Sequence, residues 1–246
     1  MLGIGLDLNE IPEYGEGFDL LNVENPLYPN YLESDYAADI EKVKAGAKGR
    51  LVVIDGPYID LNPGSPEKAV RELTSIKVDQ GIEFSRGCGA LEVIFLSTFL
   101  PMINLSVYEL GWLTESAKFW KEKTEKYPDI RISICNTFEY TPDILLRLVK
   151  NVGAENFGLA CDIGHVLVFG RTSVQNWLSR VYSQVNTIYL HSNDGTGDQH
   201  LNFQQGFLLN QLSYSEIAEL GKEKNLILKQ FDKTGIRESA QILRGC

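Results

Sequence analysis

Short apolar runs rich in β-branched residues recur along this chain, and between most of them lie longer stretches whose apolar positions repeat every three to four residues. The first pattern suits a strand buried on both faces and the second an amphipathic helix laid against it, so the alternation reads as βα units. Eight strand-like runs stand out, at residues 2–8, 18–24, 51–55, 91–95, 130–135, 158–162, 187–191 and 226–231. Helical periodicity is clearest over 35–48, 67–80, 107–126, 142–151, 174–183 and 214–224, with Ser106, Thr141 and Ser173 placed as caps and Pro142 suited to a first turn. Eight is the number of parallel strands that closes a (β/α)8 TIM barrel, and 246 residues is an ordinary length for one. No linker, charge block or compositional break interrupts the rhythm, so residues 1–246 are read as one barrel domain. An open, doubly wound sheet is the competing arrangement, although no GxGxxG follows the first strand.

Composition narrows the partners. Hydrophobic residues make up 43% of the chain, enough for a large core. The net charge of −10 repels polyanions, which disfavours nucleic acid. The start of the chain lacks the basic flank and apolar core of a signal peptide, and no run approaches the roughly 18 apolar residues of a spanning helix, so no membrane partner and a cytoplasmic location are expected. Cys88, Cys135, Cys161 and Cys246 are scattered without CxxC spacing, which argues against a disulfide framework or a zinc knot.

In a parallel barrel the C-terminal strand ends and the loops beyond them form the active face. Here the sixth run ends in Asp162-Ile163-Gly164-His165, the seventh in His191-Ser192-Asn193-Asp194, and the next loop carries Asp198-Gln199-His200. Asp198 and His200 are two apart and project to one side of an extended backbone. All three histidines of the protein fall in this region. Imidazole and carboxylate are the ligands that zinc and related divalent metals prefer. As single residues these read as helix caps or turn formers. As a set on successive strand ends, they read as a metal site. Trp112, Phe119 and Trp120 fall on a helix pattern and read as packing, as does Cys161, which the alternation of strand residues turns toward the helices.

These segments, together with Gly56-Pro57-Tyr58-Ile59-Asp60-Leu61-Asn62-Pro63-Gly64-Ser65-Pro66 after the third run and Asn136-Thr137-Phe138 after the fifth, resemble the endonuclease IV-like (AP endonuclease family 2) branch of the xylose isomerase-like superfamily. The resemblance implies a TIM barrel in a superfamily of metal-dependent sugar isomerases, sugar epimerases and AP endonucleases. By that resemblance, His165, Asp198 and His200 match one complete metal position, and Asp162 and His191 match half of a second. The departures are large. Asp55, Leu96, Cys135 and Lys229 stand where two histidines and two glutamates are expected.

Lys229 places an ammonium where a metal would sit, and a salt bridge to Asp162 is the role expected of it. Sharper alternatives are a Schiff-base Lys229, and Cys135 as a nucleophilic thiolate or a soft zinc ligand. Three functions follow. The first is one divalent metal, zinc or manganese, held by His165, Asp198 and His200, with Asp162 or His191 moving a proton on a small polar substrate such as a sugar or sugar phosphate. The second is an inactive, ligand-binding relative, and the third an AP endonuclease-like hydrolase.

Overall fold

A computed structural model describes residues 1–245, so Cys246 lies outside the described residues. The chain runs β1 (Leu2–Leu6), α1 (Ile11–Tyr14), β2 (Leu20–Val23), α2 (Ala37–Ala47), β3 (Leu51–Asp55), α3 (Lys68–Gly87), β4 (Glu92–Leu96), α4 (Ser106–Lys126), β5 (Arg131–Cys135) and α5 (Asp143–Val152). It continues β6 (Phe157–Asp162), α6 (Ile163–Phe169), α7 (Val174–Val181), β7 (Val185–Leu190), α8 (Leu208–Gln211), α9 (Tyr214–Glu223), β8 (Asn225–Leu228) and α10 (Lys233–Gly245). All eight strands are parallel, and β1 pairs with β8 from Leu2↔Leu226 to Ile4↔Leu228. That pairing closes the sheet and excludes the open arrangement.

Each expected strand is present. Helix α6 was not marked by the sequence pattern, because in Ile163-Gly-His-Val-Leu-Val-Phe169 His165 is the one polar side chain and seven residues give no period. Of the expected caps, Ser173 accepts the Asn176 N–H, whereas Ser106 is already the first residue of α4 and Pro142 takes the cap position before α5. Trp112, Phe119 and Trp120 are buried in the layer between sheet and helices, as is Cys161. None of the described helices is long and apolar enough to cross a membrane.

Side chains alternate between this outer layer and the barrel lumen. The middle of the lumen is filled by Leu20, Val53, Ile94, Cys135, Ala160, Tyr189 and Ile227. Moving two residues along several of these strands gives Asn22, Asp55, Leu96, Asp162, His191 and Lys229 at the C-terminal mouth. Moving two the other way gives Glu92, Ser133, Thr187 and Asn225 at the N-terminal end. There the fully buried Glu92 carboxylate accepts from Ser133, Thr187 and Asn186 and lies 3.6 Å from Arg131 Nε, a polar plug that leaves the mouth untouched.

One irregularity sets the phase of β7. Leu159 pairs with Val185 but Ala160 pairs with Thr187, so Asn186 is an extra residue in a bulge. Val185 faces the outer layer, Asn186 and Thr187 both reach Glu92, and Tyr189 and His191 then follow into the lumen.

Candidate metal centre at the barrel mouth

The mouth is built on two strand ends and one pinned loop. Asp162 ends β6 and caps α6, its carboxylate accepting the His165 N–H at 2.9 Å. Asn136, just past β5, clamps the Asp162 backbone from both sides: its Nδ2 donates to Asp162 O (2.9 Å) and its Oδ1 accepts from Asp162 N (2.8 Å). After β7, Ser192 and Leu201 form an antiparallel bridge that closes the intervening loop into a hairpin-like excursion. Asn193 holds that loop down, its Oδ1 accepting from Gln199 N (2.6 Å) and His200 N (3.1 Å) and its Nδ2 donating to Gly164 O (2.8 Å). His200 adopts φ +51°, a left-handed conformation that an L-residue keeps only when its surroundings insist on it.

All five expected ligands meet here. Asp198 Oδ2 lies 3.2 Å from Nε2 of His165 and 3.2 Å from Nε2 of His200. His165 Nδ1 contacts the Asn136 carbonyl (2.8 Å), and His200 Nδ1 contacts the Lys229 carbonyl. A carbonyl only accepts, so each Nδ1 carries its proton, and in a neutral ring Nε2 then presents a lone pair to Asp198. Two lone pairs against one carboxylate oxygen repel unless a proton or a cation lies between them. Backbone carbonyls that fix Nδ1 and leave Nε2 free are also the outer support typical of metal-binding histidines.

His191 completes the group. Its ring is fully buried and stacks on His200, with centroids 3.9 Å apart and planes 4° from parallel. Its Nε2 is 2.9 Å from Asp162 Oδ1 and its Nδ1 3.8 Å from Asp198 Oδ1, yet neither nitrogen is aligned for a hydrogen bond. Buried nitrogens close to carboxylates but off the hydrogen-bond line fit ligands that surround a cation. His191, Asp198 and His200 present ligand atoms all within 4.8 Å of one another, and His165 reaches Asp198 alongside them. Gly164 makes this packing possible, since a Cβ there would overlap the His191 ring. The donor set therefore fits a divalent metal.

Electrostatics agree with the geometry. Burial disfavours charge on His165, but Asp162 and Asp198 outweigh it and push its pKa up to about 9. His200 is raised too, Asp198 prevailing over burial. His191 is lowered, because its burial prevails over Asp162. Asp162 and Asp198 stay ionised well below the carboxylate range, the neighbouring histidines overcoming burial.

Lys229 corrects one expectation. Its ammonium binds Asp55 Oδ2 at 2.5 Å and Glu24 Oε1 at 3.2 Å, and sits 4.4 Å from the Tyr189 ring centroid. It does not pair with Asp162, whose carboxylate is taken up by His165 and His191. Strand order does not decide this, since β6 is two strands from β8 and β3 is three; the gap at Gly5, where a Cβ would meet both Glu24 and Lys229, lets the lysine chain lean over β1 to Glu24 and on to Asp55. Tyr189 and Asn22 also donate to Asp55. Despite burial, the two carboxylates hold Lys229 protonated beyond the usual lysine range, which runs against a Schiff base. Cys135 is fully buried in the lumen, and burial and then Asp162 push its thiol well up, which runs against a thiolate. Leu96 ends β4 among apolar lumen residues.

Two acidic residues here escaped the sequence reading. Glu24 was legible as the next inward position after Asn22. Glu139, buried and three residues beyond Asn136, accepts the Thr137 N–H on Oε2 (2.7 Å) and leaves Oε1 without a partner. Nothing in its loop spacing marked it.

A closed parallel barrel carrying imidazoles and carboxylates at its C-terminal mouth defines a class of protein. Within that class the chain belongs to the xylose isomerase-like TIM barrel family, whose profile matches residues 12–246. A D-tagatose 3-epimerase-like protein superposes with TM-score 0.80 at 21% identity, over 99% of this chain and 96% of that one. The Thermus thermophilus protein TTHB071, from a crystal soaked with ZnCl2, gives TM-score 0.78 at 19% identity, over 100% and 98%. The E. coli 3-keto-D-glucoside 4-epimerase YcjR gives 0.74 at 15%, over 100% and 99%. At such identities these likenesses establish the fold. The uncharacterized protein MJ1311 of Methanocaldococcus jannaschii is 25% identical over 220 residues, covering 85% of this chain and 68% of that protein.

Proposed function

We propose that this protein holds one divalent metal ion, zinc or manganese, at the barrel mouth and acts there on a small polar substrate of the sugar or sugar phosphate kind. The observation that carries the proposal is the Asp198 Oδ2 atom, 3.2 Å from each of two Nε2 atoms whose partner nitrogens are both committed to carbonyls. His165, Asp198 and His200 are the principal ligands in this reading, with His191 and Asp162 closing the other side. A bound ion would supply Lewis-acid polarisation of a substrate oxygen. Whichever of Asp162 and His191 is left off the metal moves a proton on the substrate. Lys229 serves as a fixed charge balancing Asp55 and Glu24, and Cys135 as lumen packing. The sugar assignment draws on the neighbours described as epimerases.

A second reading is a ligand-binding barrel without turnover. The Lys229 ion pairs favour it, because they fill one side of the mouth with a permanent internal salt bridge. Cleavage of abasic DNA ranks last, since a chain of net charge −10 meets a polyanion unfavourably. Metal content of the purified protein, zinc and manganese titration of the stripped protein, and epimerisation and isomerisation assays on free and phosphorylated sugars separate these readings. About one ion per chain together with turnover supports the first. Uptake without turnover supports the second, no uptake removes the metal proposal, and nicking of abasic DNA would promote the third.

A further inference from the structure

The loop that follows β7 carries two of the expected ligands, Asp198 and His200, and it is braced from within. Asp194 and Gln199 pair reciprocally: Asp194 N donates to Gln199 Oε1 (3.0 Å), and Gln199 Nε2 donates to Asp194 Oδ2 (3.1 Å). A segment closed in this way turns as one piece, so the group that fixes its orientation fixes both ligands together. One side chain holds it to the barrel. Asn193 is fully buried, and its carboxamide is committed on every side. Its Oδ1 receives the consecutive N–H groups of Gln199 (2.6 Å) and His200 (3.1 Å). Its Nδ2 donates to the carbonyl of Gly164 (2.8 Å), the residue before His165, and reaches Asp198 Oδ1 at 3.5 Å.

We propose that Asn193 is a positioning residue for the metal centre, setting Asp198 and His200 against His165 while every polar atom of its own side chain is already bonded. The inference rests on the metal reading of the mouth. Two features of the geometry carry it. The hold on Asp198 Oδ1 leaves the other carboxylate oxygen, Oδ2, turned toward Nε2 of both His165 and His200. The hold on two successive N–H groups keeps His200 in its left-handed conformation, φ +51°, which an L-residue abandons when nothing opposes its relaxation. Such a relaxation re-aims the side chain, so the His200 ring would lose its stack on His191 and its approach to Asp198. The bond to Gly164 joins this loop to the start of α6, which carries His165, so ligands from two separate segments are registered through one amide.

The test compares the metal-stripped full chain with its Asn193→Ala, Asn193→Ser and Asn225→Ala variants. Each is titrated calorimetrically with zinc, and the visible bands of its cobalt(II) complex are recorded, since these report the number and arrangement of ligands. Asn225 is a buried asparagine at the far end of the lumen, bonded to Thr187, so its removal empties a polar site without reaching the loop. Asn193→Ala is expected to bind zinc about 10–100-fold more weakly, the range for losing the outer support of a ligand, and to shift the cobalt bands. Asn193→Ser keeps a small polar group in place, should show the same two changes, and keeps the test open where the alanine variant folds poorly. Asn225→Ala, whatever its melting temperature, retains the wild-type affinity and spectrum. Wild-type affinity and bands in the Asn193 variants, or an equal loss in Asn225→Ala, overturns the proposal and leaves the metal reading standing. Failure of the wild-type chain to take up zinc or cobalt removes both.

Discussion

His191 and His200 stack face to face, their ring centroids 3.9 Å apart and their planes within 4° of parallel. Two imidazolium rings cannot share that arrangement without strong repulsion, and the pair resolves it by asymmetry, with His191 shifted toward the neutral form and His200 toward the charged one. The mouth thus holds protons on the nitrogens that the proposed metal would need, and the two would compete for them.

Asp198→Asn keeps the shape and removes the anion shared by His165 and His200. Zinc affinity is expected to fall by at least about a hundredfold by isothermal titration, since a first ligand matters no less than the outer-shell partners whose loss costs roughly 10–100-fold. In metal-free wild type, His165 titrates near pH 9 against 6.5 when unfolded. Its folded-state pKa is raised, so its stabilisation is complete below about 6.5 and is lost as pH climbs through 9. Chelator-treated wild type should therefore melt at lower temperature at pH 9 than at pH 6.5, by a free energy on the order of 3 kcal/mol at most from this group. In Asp198→Asn that slope flattens, and equal slopes in the two proteins would contradict the assignment.

Lys229→Met strands Asp55 and Glu24 without their cation. Removing one partner of a buried ion pair costs about 3–5 kcal/mol, so urea denaturation should show a loss of that size. Replacing the carboxylates as well, in a Lys229→Met, Asp55→Asn, Glu24→Gln triple variant, should recover much of it. A triple variant as unstable as the single one would show that the lysine stabilises by something other than these two pairs.

Glu92→Leu tests the opposite end of the barrel. Ser133, Thr187 and Asn186 would each lose their acceptor in a site closed to water, at a cost of about 1–3 kcal/mol for a stranded group. Stability measured by denaturant midpoint should fall while zinc affinity of the folded fraction holds, because no ligand of the mouth touches Glu92. A parallel loss of both would mean that the two ends are coupled through the lumen.

The strands were legible because hydrophobic alternation is set by local pattern, and all eight lay near where apolar runs placed them; closure, the pairing of β1 with β8, followed from their number and was decided only by the structure. The meeting of the candidate ligands was partly legible for the same reason, since Asp162 and His191 follow strand positions whose lumen phase is fixed by Ala160 and Tyr189 two residues earlier. What escaped was pairing across the lumen. Lys229 faces inward as expected, but whether it meets Asp55 or Asp162 depends on which carboxylate the histidines already occupy and on the gap at Gly5, a relation between residues 174 positions apart. Glu139 escaped for a different reason, its burial being decided by loop packing that carries no period. Helix α6 hid in a run too short to show a period.

The extra residue in β7 gives that strand a reading frame of its own. Deleting Asn186 straightens the strand and brings Thr187 directly after Val185, which leaves Tyr189 and His191 on the inner side. Deleting Ile188 shifts the frame by one, turning Tyr189 outward into the helical layer unless the neighbouring bulge is spent to restore it. Zinc titration of the two deletants should rank the first above the second, so β7 has one dispensable residue, placed below the site it serves.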